Sequence, residues 1–208
     1  MDERWRSRAA DESISSKARL IIHLPSTPAS EFNRLSFDYL QLMENAVISC
    51  LYELSNPNVV VAYICPIAFG PAEEAYVYRY LAALGIKGAS NRLHFVVPEL
   101  MSKFPDHMNL SQVLWYSSGA LRRLRRMTRS YPDSVLVPSA VTWIEKRICT
   151  YLGIPAFSID PAIAEVLTSR SAAKRLFMVN IIPHPPTPPR NISNLALTCL
   201  CLFFRRRL

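Results

Sequence analysis

Hydrophobic and polar positions follow two rhythms between residues 18 and 182. Short apolar runs read as strands: ARLIIHLP (18–25), NVVVAYICP (58–66), RLHFVVPE (92–99), SVLVP (134–138) and IPAFSID (154–160). The β-branched run NVVVAYIC, closed by proline, has the pattern of a strand buried on both faces. Between these runs the period changes. In SFDYLQLMENAVISCLYELS (36–55), Phe37, Leu40, Ala46/Val47, Leu51 and Leu54 fall near one helical face. PAEEAYVYRYLAALG (71–85) opens with Pro71 and two acids and closes at Gly85, the order expected of a helix from start to stop. Residues 109–131, NLSQVLWYSSGALRRLRRMTRSY, are expected to be mostly helical, with Gly119 as a weak point. SAVTWIEKRICTYLG (139–153) reads as a helix ending at Gly153, and AIAEVL after Asp160 as the start of another.

Strand and helix therefore alternate with short connections. That alternation predicts an α/β fold: an open, mainly parallel sheet with helices on both faces, built from right-handed βαβ units. No internal repeat and no inter-domain linker precedes residue 183. The expected organisation is a disordered lead over 1–17, one α/β domain over 18–182, and an unstructured tail over 183–208. Five of the sixteen prolines crowd into 183–189, which assigns them to the tail and not to the fold.

Charge changes this picture only locally. The net charge is +8, with 9 Lys+Arg against 11 Asp+Glu in residues 1–100 and 15 against 5 in residues 101–208. Two arginine runs, LRRLRRMTR (121–129) and RRR (205–207), account for most of the excess. On a helix, Arg122, Arg125, Arg126 and Arg129 share one face, while Leu121, Leu124 and Met127 lie on another. Basic amphipathic helices of this kind bind calmodulin or acidic surfaces; the plainer reading is a solvated outer helix. Nucleic acid is not expected as a partner, since no aromatic residues interleave with the arginines to make a stacking platform.

The five cysteines (Cys50, Cys65, Cys149, Cys199 and Cys201) show no CxxC and no partner histidines at zinc spacing, and three of them sit inside apolar runs that suit small buried thiols. The first residues, MDERWRSRAADES, lack the apolar core of a secretory signal. A cytoplasmic location is the expectation from both features. The apolar run Leu195–Phe204 is about half as long as a membrane-spanning helix requires, so no transmembrane segment is expected. A peripheral anchor acylated at Cys199 or Cys201 is a further reading of that run.

Enzyme signatures are sparse. There is no GxGxxG after a strand, no GxxxxGK[ST] and no GxSxG. The four histidines are scattered, and His23 and His94, both in strands, read as structural. Asp160, just after the last strand, stands where α/β sheets bind ligands, and equally where a helix N-cap belongs. No metal site is expected.

The most informative constellation is TYLGIPAFSIDPAIAEVLTSRSAAKRLFMVNIIPHPP (150–186): helix, Leu-Gly-Ile-Pro, short strand, helix, cation, helix and a proline-rich step. It resembles ATP-grasp proteins at the junction between their first domain and the nucleotide-gripping domain. There a lysine precedes a helix and a Val-Pro-x-Pro step follows; here Arg170 takes the lysine's place and Pro183 stands 13 residues later. Residues 58–186 further resemble the IQ-motif-containing protein H group. The residues that carry this are VVVAYICP, YVYRYLAALGI, RLHFVVPEL, SAVTWIEKRICTYLGIPAFSIDPA and SRSAAKRLF.

The resemblance implies a pre-ATP-grasp domain, ATP and magnesium in a full-length relative, and a group linked to calmodulin and to sperm development. The sequence departs from it in three ways. No IQxxxRGxxxR motif is present, an arginine replaces the family's lysine, and nothing after Pro186 resembles the glycine-rich loop or metal-binding carboxylates of an ATP-grasp core. The expectation is a non-catalytic fragment or isoform acting as a binding or structural domain, with no cofactor of its own. Arg170 and Lys174 would be the remnant edge of a nucleotide site. Two alternatives stand beside it: carboxylate–amine ligase-like activity in a longer form, and a calmodulin-binding module acting through Arg122, Arg125, Arg126 and Arg129. A small stand-alone α/β enzyme lacks an acid, base and nucleophile set.

Overall fold

The computed structural model describes residues 18–27, 46–101, 103, 108–167 and 170–180. Four parallel strands form one sheet in the order β3-β2-β1-β4. They are β1 (Arg19–Leu24), β2 (Val59–Ile64), β3 (Leu93–Val96) and β4 (Asp133–Pro138). Each runs where the apolar pattern places a strand. All six residues of β2 are buried, as a β-branched run at the centre of a sheet covered on both faces requires. The Arg19 side chain ties the starts of β1 and β4 together, with Nε 2.7 Å from Asp133 Oδ2 across the register pair Arg19↔Asp133.

The period of two along the strands divides the core. Leu20, Ile22 and Leu24 of β1, with Val60, Ala62 and Ile64 of β2, point to one face. There they meet helices α3 (Leu110–Tyr116), α4 (Ser118–Ser130) and α5 (Trp143–Leu152). Val59, Val61 and Tyr63 point to the other face, against α1 (Val47–Leu51) and α2 (Pro71–Ala83). The chain steps outward from β1 to β2 to β3 with its helices on the second face. It then returns past β1 to β4 with its helices on the first. Reversing direction while keeping right-handed crossovers demands this change of face, so the two-sided architecture follows from strand order.

Three local outcomes depart from the sequence pattern. The strand expected at 154–160 is reduced to a single parallel bridge between Leu136 and Ala156, made by Leu136 N–H to Pro155 O at 3.0 Å and Phe157 N–H to Leu136 O at 2.7 Å. Pro155 has no N–H to extend a ladder, and Pro161 opens the next helix. The helix expected over 109–131 is two helices, broken at Ser117 (φ −84°, ψ 83°) and not at Gly119. The helix expected over 139–153 begins at Trp143, where Thr142 and Glu145 form a reciprocal capping box, and it stops at Gly153, whose φ of 71° is left-handed. Of the helix expected at 36–55, residues 46–55 are described: α1 runs into a 3-10 turn at Tyr52–Ser55. Residues 36–45, the lead 1–17 and the tail 183–208 lie outside the described residues.

The chain divides into two compact units, Met1–Pro161 and Ala162–Leu208. The sheet and its flanking helices belong to the first. The second contains the remainder of α6 (Pro161–Leu167) and all of α7 (Arg170–Val179). Among the described residues, no helix is long and apolar enough to cross a membrane.

Candidate functional site

Helix α4 carries one repeating pattern on each side. Ala120, Leu121, Leu124 and Thr128 are buried, and Met127 packs partly against the same core. Arg122, Arg125, Arg126 and Arg129 are all exposed at i, i+3, i+4 and i+7, so they share the opposite face. The four guanidinium groups border a shallow open depression of about 550 Å³ whose remaining lining is Gly119 and Tyr151. Among the described residues, no acid lies within salt-bridge distance of any of them. The face is therefore a row of exposed cations held in register by a buried apolar stripe.

Tyr151 is the link to the neighbouring helix. Its ring, presented by α5, lies under Arg125, whose guanidinium carbon is 4.9 Å from the ring centre. Trp115 of α3 meets the same ring edge-on at 6.4 Å. Beyond Tyr151, α5 turns Trp143, Lys146, Arg147 and Thr150 outward at the same i, i+3, i+4, i+7 spacing. These residues, with Trp115, Ile144 and Tyr151, line a second depression of about 790 Å³. The Lys146 ammonium lies 4.9 Å from the centre of the Trp143 ring and 2.8 Å from Asp160 Oδ2. Its charge is thus compensated by a salt bridge, whereas none of the four arginines makes one among the described residues.

The N-terminus of α4 is held from a distance. Ser117, at the cap position, makes no side-chain capping bond. Glu99, just after β3, supplies it instead. Its carboxylate accepts from Gly119 N–H at 2.5 Å and from Ala120 N–H at 3.0 Å. Slight burial pulls the Glu99 pKa upward. Backbone hydrogen bonds at Glu99, Gly119 and Ala120, with the nearby Arg122 charge, outweigh that and hold it below the usual carboxylate range. Gly119 leaves room for this approach: a Cβ there would meet the flexible end of the Glu99 side chain at 2.8 Å, and the carboxylate would have to shift.

The other residues singled out from the sequence are dispersed. His23 Nε2 is 2.7 Å from Glu53 Oε2, a half-buried pair on the α1 side of the sheet. Burial, and then the Arg123 charge, lower the pKa of His94. Cys50, Cys65 and Cys149 are buried and unbridged. Burial, followed by the neighbouring Glu53 and Glu145 charges respectively, pushes the Cys50 and Cys149 thiols up to about 12, which keeps both inert as nucleophiles. Asp160 immediately precedes α6 and pairs with Lys146. Arg170 and Lys174 fall one turn apart in α7, within the second unit. His107, His184, Cys199 and Cys201 lie outside the described residues.

The fold and this surface define a doubly wound α/β domain that presents a cationic outer helix beside an aromatic-lined depression. No family model matches the chain. Over 184 residues, 83% of its length, the chain is 26% identical to the protein of Danio rerio called IQ motif-containing protein H. It spans 17% of that protein's length. The likeness is that of a distant relative, and it extends well beyond the segment 150–186.

Proposed function

We propose that this chain is a non-catalytic binding domain, related to the pre-ATP-grasp domain of IQ motif-containing protein H-like ATP-grasp proteins, and that it docks an acidic protein through the arginine face of α4. The observation that carries this reading is the exposed row Arg122, Arg125, Arg126 and Arg129, whose one acidic neighbour among the described residues is Glu99 beside Arg122, and which is fixed to the core by Leu121 and Leu124. Four like charges side by side on one helix repel one another, so an anionic partner relieves a cost already present in the free protein. Calmodulin, an acidic protein, is the partner that the likeness to an IQ-motif protein supports. In the folded domain α4 offers it the arginine face and not the apolar stripe, which is occupied by the core.

Capture on immobilised calmodulin, with and without calcium, tests this. The charge-reversed variant Arg122→Glu/Arg125→Glu/Arg126→Glu changes exposed side chains; it also loses the Arg122 charge beside Glu99 and the Arg125 contact with Tyr151, so its fold is checked by circular dichroism alongside the capture. Its capture is expected to fall at least tenfold, about 1.4 kcal/mol or more of binding free energy. Unchanged capture of the variant, or no capture of the wild type, overturns the assignment.

A second reading rests on α7. Arg170 and Lys174 stand four residues apart in its sequence, and pairs of cations are suited to nucleotide phosphates by charge-assisted hydrogen bonds. In this reading they are the edge of an ATP and magnesium site that belongs to a longer, carboxylate–amine ligase-like form. For the chain alone, thermal unfolding is expected to be unmoved by micromolar ATP with magnesium. A saturable rise in Tm would mean that the chain grips nucleotide by itself, since ligand at a hundredfold excess over Kd adds about 2.7 kcal/mol.

A further inference from the structure

The arginine row and the Trp115–Trp143 depression are one continuous surface, because Tyr151 lines both. We infer that the partner segment engaged here is a short acidic peptide with an apolar anchor: its carboxylates lie along Arg122, Arg125, Arg126 and Arg129, and one large apolar side chain enters the depression between Trp115 and Trp143. This deepens the docking reading above and rests on it.

Three observations give the segment its chemistry. First, the two ends of the surface differ in charge density. Four arginines line one end, whereas at the other Asp160 pairs with Lys146 beside Trp143 and leaves Arg147 as the cation without a salt bridge among the described residues. Most of a ligand's negative charge is drawn to the arginine end, and the Trp115–Ile144–Trp143 wall favours an apolar side chain at the other. Second, the depression has an apolar wall built from Trp115, Ile144 and the exposed Trp143. A large apolar side chain entering it removes its own surface and the Trp143 ring from water, at about 25 cal/mol per Å². Third, the dimensions suit a few residues of extended chain. Arg122 to Arg129 spans about 10 Å along α4, and Trp143 to Tyr151 about 12 Å along α5. At ~3.3 Å per residue, three or four residues cover each.

The same geometry disfavours a single-stranded nucleic acid. Such ligands need successive open aromatic faces for stacking; here the Tyr151 ring already carries Arg125 over it and Trp115 at its edge, and Lys146 lies over the Trp143 ring, which leaves one exposed ring and no platform for successive bases. Bidentate pairing of guanidinium with carboxylate needs no such face.

Fluorescence anisotropy with two labelled peptides tests the inference. One is a dozen alternating aspartates and glutamates with a central phenylalanine; the other has alanine in place of that phenylalanine. A thymidine oligonucleotide and phosphatidylserine vesicles serve as further probes. The wild type is expected to bind the phenylalanine peptide about tenfold more tightly than the alanine peptide, the effect of one well-seated anchor. Trp143→Ala, a change at an exposed position, should abolish that difference and leave the alanine peptide's affinity unchanged. Arg122→Glu/Arg125→Glu/Arg126→Glu should lose both peptides. If the reversal loses both but the phenylalanine confers no advantage, the anchor is wrong and the docking face stands. If the reversal loses neither, both readings fall. Tighter, Trp143-dependent binding of the oligonucleotide or the vesicles overturns the peptide in favour of that ligand.

Discussion

Leu124→Ala is expected to lower the unfolding free energy by about 2–5 kcal/mol, the range for truncating a fully buried leucine. Urea unfolding followed by circular dichroism measures it. Leu124 has no exposed surface and lies in the cluster that joins α3, α4 and α5 to β1, β2 and β4. Truncation removes its contacts and leaves a cavity that packed neighbours fill only in part. The same variant separates two modes of partner binding. A partner that reads the arginine face leaves Leu124 untouched, so affinity per folded molecule should match the wild type well below the melting temperature. A partner that strips α4 from the core and wraps its apolar stripe gains contacts with Leu124 and loses them in the variant. A stability loss under 1 kcal/mol would mean that α4 is not docked on the sheet as described.

Glu99→Ala is expected to cost about 0.5–1 kcal/mol, because two backbone N–H groups at the start of α4 exchange a charged acceptor for water at an exposed helix end. The effect depends on pH with a definite sign. The Glu99 pKa is depressed on folding, so its contribution is complete above the unfolded value of about 4.3 and disappears as pH falls through the lower folded value. The gap in Tm between the wild type and Glu99→Gln should therefore be widest near neutrality and narrow below about pH 4. A gap that persists unchanged at low pH would show that the ionised carboxylate is not the stabilising species. Gly119→Ala probes the same contact from the other side. Its methyl would stand 2.8 Å from Glu99 Oε1, the free end of an exposed side chain, so a small shift of the carboxylate relieves the contact. The helical preference of alanine, about 1 kcal/mol over glycine, should largely be retained.

The sheet was legible in the sequence because its strands are apolar, short and bounded by turn residues. The β-branched run of β2 needed no tertiary information to be read as buried. The arginine face was legible too, since i, i+3, i+4 spacing determines which side chains share a side whatever the helix packs on. What escaped involves partners far apart along the chain. Glu99 lies 20 residues before Gly119, beyond the reach of any local capping pattern. The aromatic ring beneath the arginines comes from Tyr151 on another helix, and interleaving within the arginine run could not reveal it. The break at Ser117 and the lone bridge at Ala156 depend on how much pairing and packing the neighbouring elements offer. Arg170 and Lys174 remain a matter of spacing within α7.

The opposed stripes of α4 also determine where this chain tolerates changes of length. Each residue advances a helix by about 100°. Deleting Arg125 would swing every later arginine by that angle against the sheet, driving the Arg129 guanidinium into space that Thr128 now fills. Helix α4 is therefore closed to insertions and deletions, even though half its surface faces water. The connection Ser139–Val141 between β4 and α5 precedes the capping box and sets no helical phase. Length variation among relatives should gather in such connections and be absent from α4.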